Sequence, residues 1–243
     1  MKKFIYSFIC LVMLSVQTSY CEEVPIDEGT RVTGRVIEAK KVIDQIMEVP
    51  EKGIPKQFFG QCSAIAIFPS VFKGGFIFAD KYGQGVITAY NKEKQEWSNP
   101  AFFTISEAIF GFQVGVEATD LVLVIFGDDS LQGLFKDKLN LGTDILVENG
   151  PVGNISDVNS DILVKGGVFS YSQNKGVFSG VSLKGATMTP NNIANRDYYN
   201  EDVTVKELFF EENKKLVLPN SCLELKKTLD KYTDKVFPDE VQN

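Results

Sequence analysis

The chain has 243 residues, 44% of them hydrophobic and 23% charged, enough length and apolar content for one large domain or two small ones and too much for a disordered polymer. It contains no histidine, which excludes Ser-His-Asp and Cys-His catalysis and removes the commonest transition-metal ligand. A formal net charge of −7 argues against nucleic acid as a partner and against simple electrostatic adhesion to anionic membranes.

The first predicted element is a targeting signal. Lys2 and Lys3 precede a mostly apolar run from Phe4 to Val16, followed by polar Gln17-Thr18-Ser19. That run is too short to cross a bilayer comfortably and fits the apolar region of a secretory signal peptide. Ser19 and Cys21 supply small residues for cleavage before Glu22. The alternative is that Cys21 is the lipidated cysteine of a bacterial lipoprotein, with Tyr20 where such a signal takes a small residue. Residues 1–21 are therefore expected to direct export to the periplasm or envelope, lipid-anchored or secreted, leaving 22–243 as one domain. Their removal takes away two lysines and no acid, so the mature chain is more acidic still. Cys62 and Cys222 remain, as one disulfide or as two buried thiols.

Asp27-Glu28-Gly29-Thr30 predicts a helix start, with acids at the positive end of the dipole. Val32, Val36, Ala39, Ile43 and Ile46 follow at alternating four- and three-residue spacing and form one apolar stripe. Arg31, Arg35, Glu38, Lys41 and Glu48 fall mainly outside it, and Pro50 and Gly53 stop the helix. Such a helix covers a sheet or, in the competing reading, lies on a membrane surface.

From about Gln61 to Leu183 the texture is that of strands: CSAIAIF (ending at Pro69), GGFIFAD, QGVITAY, GFQVGVE, LVLVIF, GVFSYSQ and GVFSGVSL, separated by Gly, Asn, Asp and Pro clusters. Many short strands with punctuating turns predict an antiparallel, barrel-like sheet. Residues 121–126 are continuously apolar and are expected to be buried on both faces. Residues 168–173 and 176–188 are expected to pair as a hairpin. A short helix is expected after Asp128 or Asp129 as its cap. Past Thr189-Pro190 the pattern turns helical over 191–199, 203–210 and 221–236, the last with Leu223, Leu229 and Tyr232 on its apolar side. The fold class is α+β: a single domain in which an N-terminal amphipathic helix and C-terminal helices pack a barrel-like sheet.

No phosphate-binding or dinucleotide glycine motif is present; Tyr82-Gly-Gln-Gly-Val86 lacks the third glycine and a following helix. The acids at 127–130, Asp157 and Asp161 lack the ordered spacing of a calcium loop and read as caps or solvated turns. Glu117 and Asp120 lie three apart on a strand, hence on opposite faces, which disfavours a hydrolytic pair. No catalytic residue, metal site or cofactor is expected. Lys73, Lys81, Lys175 and Lys184 all fall at or near predicted strand ends; on one shared rim they would offer a cationic site for phosphate headgroups. The competing reading is ordinary solvated lysines at turns.

The ordered series AIAIFPSVFKGGF, YGQGV, WSNPAF, GFQVGVEATDLVLVIF, GPVG, FSYSQNKGVFSGVSLKG and NRDYY resembles the SYLF-domain family, from about Arg31 to Leu229. The resemblance implies a lipid-binding domain, with phosphoinositides as ligands in eukaryotic members and actin binding in yeast ones. The matching positions are Gly83, Gly85, Trp97, Ser98, Pro100, Gly115, Asp120, Gly150, Pro151, Gly153, Tyr171, Ser172, Gly176, Phe178, Gly180, Gly185, Asn195 and Tyr199, expected to be mainly structural. The chain departs from the family pattern at Ala79-Asp80, usually Gly-Gly, and at Asn154 and Gln173, both usually Arg. Each change lowers glycine content or positive charge and weakens the case for tight phosphoinositide binding.

The expected function is that of an exported, non-catalytic protein associating with membrane lipid headgroups, through the basic rim of Lys73, Lys81, Lys175 and Lys184, through Arg31, Arg35 and Lys41 on the N-terminal helix, or both. The alternatives are an envelope protein that binds a protein partner and an actin-binding effector.

Overall fold

The computed structural model describes residues 28–48, 53–74, 78–110, 116–153, 161–174, 177–179, 183, 185–210 and 216–233. The apolar stripe of the first segment does form a helix, α1 (Glu28–Ile46), with Val32, Val36, Ala39, Ile43 and Ile46 all at most 1% exposed. A short helix α2 (Lys56–Gln61) follows and leads into strand β1 (Ala64–Gly74). The sheet continues with β2 (Phe78–Asn91), β3 (Glu96–Trp97), β4 (Ala101–Phe110) and β5 (Val116–Phe126). After helix α3 (Asp128–Gly133) come β6 (Leu139–Asn140), β7 (Val147–Asn149), helix α4 (Asp161–Lys165), β8 (Gly167–Asn174), β9 (Val177–Ser179) and β10 (Thr187–Pro190). Helices α5 (Asn192–Tyr199), α6 (Val205–Phe210) and α7 (Asn220–Tyr232) close the described chain.

The strands hydrogen-bond in the order β6-β10-β4-β2-β1-β5-β8-β7, with β3 beside β2 and β9 beside β8. All neighbours are antiparallel except β7 and β8. The two outermost strands of this order, β6 and β7, are separated in sequence only by residues 141–146. At roughly 3.5 Å per residue that connection spans at most about 25 Å, so the sheet must curl until its edges nearly meet. Asp144 fastens the connection by accepting hydrogen bonds from the backbone N–H (2.8 Å) and Nδ2 (2.9 Å) of Asn140. The result is the expected barrel-like form, left open between β6 and β7.

Burial follows from this curl. Residues 64–68 of β1 are wholly buried and residues 121–126 of β5 at most 4% exposed, both faces being covered. Phe58 of α2 stacks on Phe169 with centroids 5.4 Å apart and meets Phe126 edge-on at 5.1 Å. Helix α1 packs on α7 and α5 and lies over β1 and β2; Tyr232 of α7 donates to Asp44 at 3.2 Å, and Lys40 pairs with the same carboxylate at 2.8 Å.

Several local expectations are corrected. Pro69 does not end β1: the strand runs on to Gly74, because proline falls in a bulge where its missing N–H is not required. Residues 101–110, not predicted as a strand, form β4. Helix α3 starts from Gly127 (φ 87°) without a side-chain cap, so Asp128 and Asp129 occupy its first turn. On α7 the buried side is Cys222, Leu225, Leu229 and Tyr232, while Leu223 is 49% exposed. The hairpin at 168–188 is shorter than expected: β9 pairs with β8 from Ser172↔Ser179 to Asn174↔Val177, whereas Met188 crosses to pair with Ile105 of β4.

Candidate functional site

The chain's recurrent motifs resolve into three structural clasps. In the first, β1 holds one extra residue between Phe68 and Val71 relative to β5. Ser70 takes φ 51° there, and its N–H donates to Asp120 Oδ1 at 2.8 Å. Across β2, the backbone of Ile67 and Phe68 presses so closely on Gly85 that a Cβ would sit 2.8 Å from Phe68 Cα and closer still to the Ile67 carbonyl oxygen.

The second clasp joins residues 97–102 to the C-terminal helices. Buried Asn195 accepts the Phe102 N–H at 2.7 Å, Tyr199 donates to the Pro100 carbonyl at 2.6 Å, and Trp97 Nε1 donates to Thr233 Oγ1 at 3.0 Å. Ser98 Oγ accepts the Ala89 N–H at 2.9 Å. In the third, the Tyr171 ring covers Gly150 and its hydroxyl donates to the Pro151 carbonyl at 3.0 Å, while Gly153 N–H reaches the Gly53 carbonyl at 3.2 Å. Burial pushes the hydroxyls of Tyr171, Tyr198 and Tyr199 above their ordinary pKa, so all three remain neutral donors. Ser172 is 1% exposed and Gly185 has φ 95°. Phe178 lies in β9 opposite Gln173. Gly115, Gly176 and Gly180 lie outside the described residues.

Two of the four rim lysines are brought side by side: Lys73 of β1 and Lys81 of β2 are register partners. Their outer neighbours are acids, however. Lys73 also pairs with Glu117 of β5, and Lys81 with Glu107 of β4. The row across the sheet thus reads Glu, Lys, Lys, Glu and carries no net charge. Lys175, Lys184 and Cys21 lie outside the described residues.

Arg31, Arg35 and Lys41 sit on α1, Arg31 and Lys41 exposed and Arg35 half-buried beside the apolar stripe. Lys41 pairs with Glu38 at 2.6 Å, and Arg31 and Arg35 are likewise engaged in interactions. The helix's apolar stripe is spent on the core. Freeing Val32, Val36, Ile43 and Ile46 for a membrane would forfeit about 1.5–3 kcal/mol apiece.

The residues that sequence reasoning missed are Phe72 and Tyr82. They are register partners one row inward of the lysines and are 53% and 47% exposed. Tyr82 Oη accepts a hydrogen bond from Gln84 Nε2 at 2.7 Å. Ending the strand at Pro69 hides Phe72, which lies on the continuation of β1 past the bulge.

The described cavities are small. One of about 280 Å³ lies among Tyr90, Lys92, Asp128, Leu131 and Phe210; another of about 110 Å³ shares Asn91, Phe209 and Phe210 with it and reaches Trp97 and Lys226. A third, about 270 Å³, is lined by Ser130, Lys136, Asp144 and Lys165. No cluster of three metal-ligating side chains occurs among the described residues. Cys62 and Cys222 are both buried free thiols, and burial raises both pKa values, that of Cys222 to about 11.

A family model described as Ysc84, Las17-binding protein actin regulator, matches residues 106–232, just over half of the chain. The chain is 29% identical over 203 residues to the SH3 domain-containing YSC84-like protein 1 of Homo sapiens, covering 81% of this chain and 58% of that protein. It is 29% identical over 188 residues to the protein of the same name in Xenopus laevis, covering 76% and 55%. With LAS seventeen-binding protein 3 of Saccharomyces cerevisiae it shares 32% identity over 156 residues, 63% of this chain and 34% of that one. The chain therefore spans little more than half the length of the vertebrate relatives it matches.

Proposed function

Starting from a chain that belongs to the Ysc84 (SYLF) family of Las17-binding actin regulators, we propose that it is an exported, non-catalytic binding module that docks on the lipid of the bacterial envelope. The observation that carries this reading is the exposed Phe72–Tyr82 pair beside Lys73 and Lys81, at the end of a sheet whose middle is covered on both faces. Tyr82, an apolar ring with a polar tip, and the exposed Phe72 ring beside it suit the boundary between water and lipid. The shallow cavities suit a surface ligand better than an enclosed small molecule. Flotation of residues 22–243, which retain every described contact, tests the reading. Co-flotation with vesicles at low salt is expected; protein left at the bottom of the gradient with both neutral and anionic vesicles refutes it.

A second reading, a protein partner such as actin, has its own support. Phe210 is 48% exposed between the two cavities that share it, stacking edge-on against Phe135 at 5.6 Å, and such an aromatic anchor is the usual centre of a protein contact. The yeast relative is named for binding LAS seventeen. Co-sedimentation with actin filaments separates the two: pelleting that Phe210→Ser abolishes supports the partner reading, and none at micromolar protein removes it.

A further inference from the structure

The cavity of about 270 Å³ lies at the open seam of the sheet. Helix α3 and the residues just after it, strand β6, the connection from β6 to β7 and the turn between α4 and β8 all converge on it. Its inner side is made by Ser130, Leu139 and Ile145, none more than 7% exposed. Its outer side is charged: Asp129, Lys136, Asp144 and Lys165 line it and are all exposed.

Ser130 lies against the backbone of Gly166. A Cβ there would come 3.2 Å from Ser130 Oγ and 3.1 Å from the Phe126 carbonyl oxygen, and Gly166 has φ 88°. Space and backbone conformation together keep residue 166 a glycine, so no side chain from that turn covers the hydroxyl. Ser130 Oγ has no hydrogen-bond partner among the described residues, although the residue is 7% exposed. One donor and two acceptor sites are thus left for an occupant of the cavity to meet.

The outer charges balance, two lysines against two aspartates. Asp144 is held ionised by the Asn140 hydrogen bonds and by the nearby charges of Lys136 and Lys138. Lys165 is bridged to Asp161 at 3.1 Å, while Asp129 and Lys136 form no ion pair among the described residues. A simple anion would meet the two carboxylates, and a simple cation the two ammonium groups. A wholly apolar ligand would strand Ser130 and desolvate four charges. A small molecule with both charges at one end and an uncharged body at the other satisfies the inner and outer sides together. The volume agrees: at roughly 30 Å³ per water it is the space of about nine waters, just below the range of about 300–1,000 Å³ for drug-sized ligands.

We propose that this seam cavity binds a free α-amino acid with an uncharged side chain. Its ammonium group faces Asp129 and Asp144 and its carboxylate faces Lys136 and Lys165. Its side chain points inward between Leu139 and Ile145, toward Ser130 Oγ. The ligand then ties α3, α4 and the β6–β7 connection to one another across the gap in the sheet, so melting temperature should rise with its concentration. The lipid reading above does not use this cavity and stands or falls separately.

The test is calorimetric titration of residues 22–243 with L-glutamine, L-leucine and L-methionine, paired with melting curves. Saturable binding of at least one, with a dissociation constant of about 1 mM or tighter, is the expected result. The N-acetyl and α-amide derivatives of that amino acid, each lacking one charge, should bind about tenfold more weakly or worse. Asp129→Asn/Lys136→Gln should weaken binding by about tenfold or more while leaving the melting temperature of the free protein unchanged. Ser130→Ala should weaken L-glutamine, which has a polar tip, more than L-leucine. Neither heat nor a ligand-dependent melting shift with any of the three overturns the proposal. So does binding that survives the loss of either charge from the ligand, or tighter binding of O-phosphoethanolamine or inorganic phosphate than of the amino acids.

Discussion

Substituting glycine by alanine at three positions ranks the packing forces around the β1 bulge. At Gly85 the new Cβ would lie 2.8 Å from Phe68 Cα, 2.7 Å from Phe68 Cδ1 and closer to the Ile67 carbonyl oxygen. Two of these are backbone atoms of the central strand, so relief requires β1 and β2 to part; the cost should be about 3 kcal/mol, the upper end of the range for overpacked cores. At Gly83 the clashing atoms are Val71 Cγ2 at 2.7 Å, Ile105 Cγ2 at 3.2 Å and Val71 Cβ at 3.3 Å, β-branched side chains stiff at χ1 but with no backbone atom among them, for about 2 kcal/mol. At Gly34, within α1, nothing lies within 4 Å, and alanine should stabilise by about 0.5–1 kcal/mol through helix propensity alone. For a domain of this size the Gly85→Ala cost lowers the melting temperature by roughly 6–12 °C. Urea unfolding of the three variants, followed by circular dichroism, gives the ranking. A Gly83→Ala loss equal to or larger than that of Gly85→Ala would refute the reasoning, since side-chain and backbone neighbours would then yield alike.

Alkaline stability should fall in a defined window. The Cys222 thiol is raised from 9.0 to about 11 by burial, and buried Tyr171, Tyr198 and Tyr199 shift the same way. These groups stay protonated in the fold while the unfolded chain ionises, so their contribution is whole below about pH 9 and declines as pH rises toward 11. Melting temperature against pH should bend downward in that window, and Cys222→Ala should soften the bend; a flat profile to pH 11 contradicts the assignment. Gln173 stands directly across from Asp120, and its Oε1 is buried with no hydrogen-bond partner among the described residues. Gln173→Arg removes that orphan acceptor and sets donors opposite the carboxylate, so thermal denaturation should show a gain on the order of 1 kcal/mol. An unchanged or lower melting temperature counts against it.

The α1 stripe and the doubly buried run at 121–126 were legible because periodicity and continuous apolarity report burial directly. The clasps were legible only as a family pattern: nothing local to Asn195 says that it holds the Phe102 N–H, 93 residues away in sequence. The bulge escaped altogether. Pro69 reads as the end of the strand, which leaves Phe72 with no assigned face in the sequence, and in the fold it stands exposed on the strand that runs on past the bulge. The rim of lysines was half visible: Lys73 and Lys81 do meet, but the glutamates beside them come from strands more than 25 residues on, and only the register reveals the neutral row.

The near-closure of the sheet has a consequence for solubility. An open sheet ordinarily offers unpaired backbone groups on which other extended chains can assemble. Here the outermost strands are only two (β6) and three (β7 and β9) residues long, and the 141–146 connection runs between β6 and β7. At that side of the sheet the described residues therefore offer only a short template for strand-by-strand aggregation. Recruitment of a partner by adding a strand to those edges is correspondingly disfavoured.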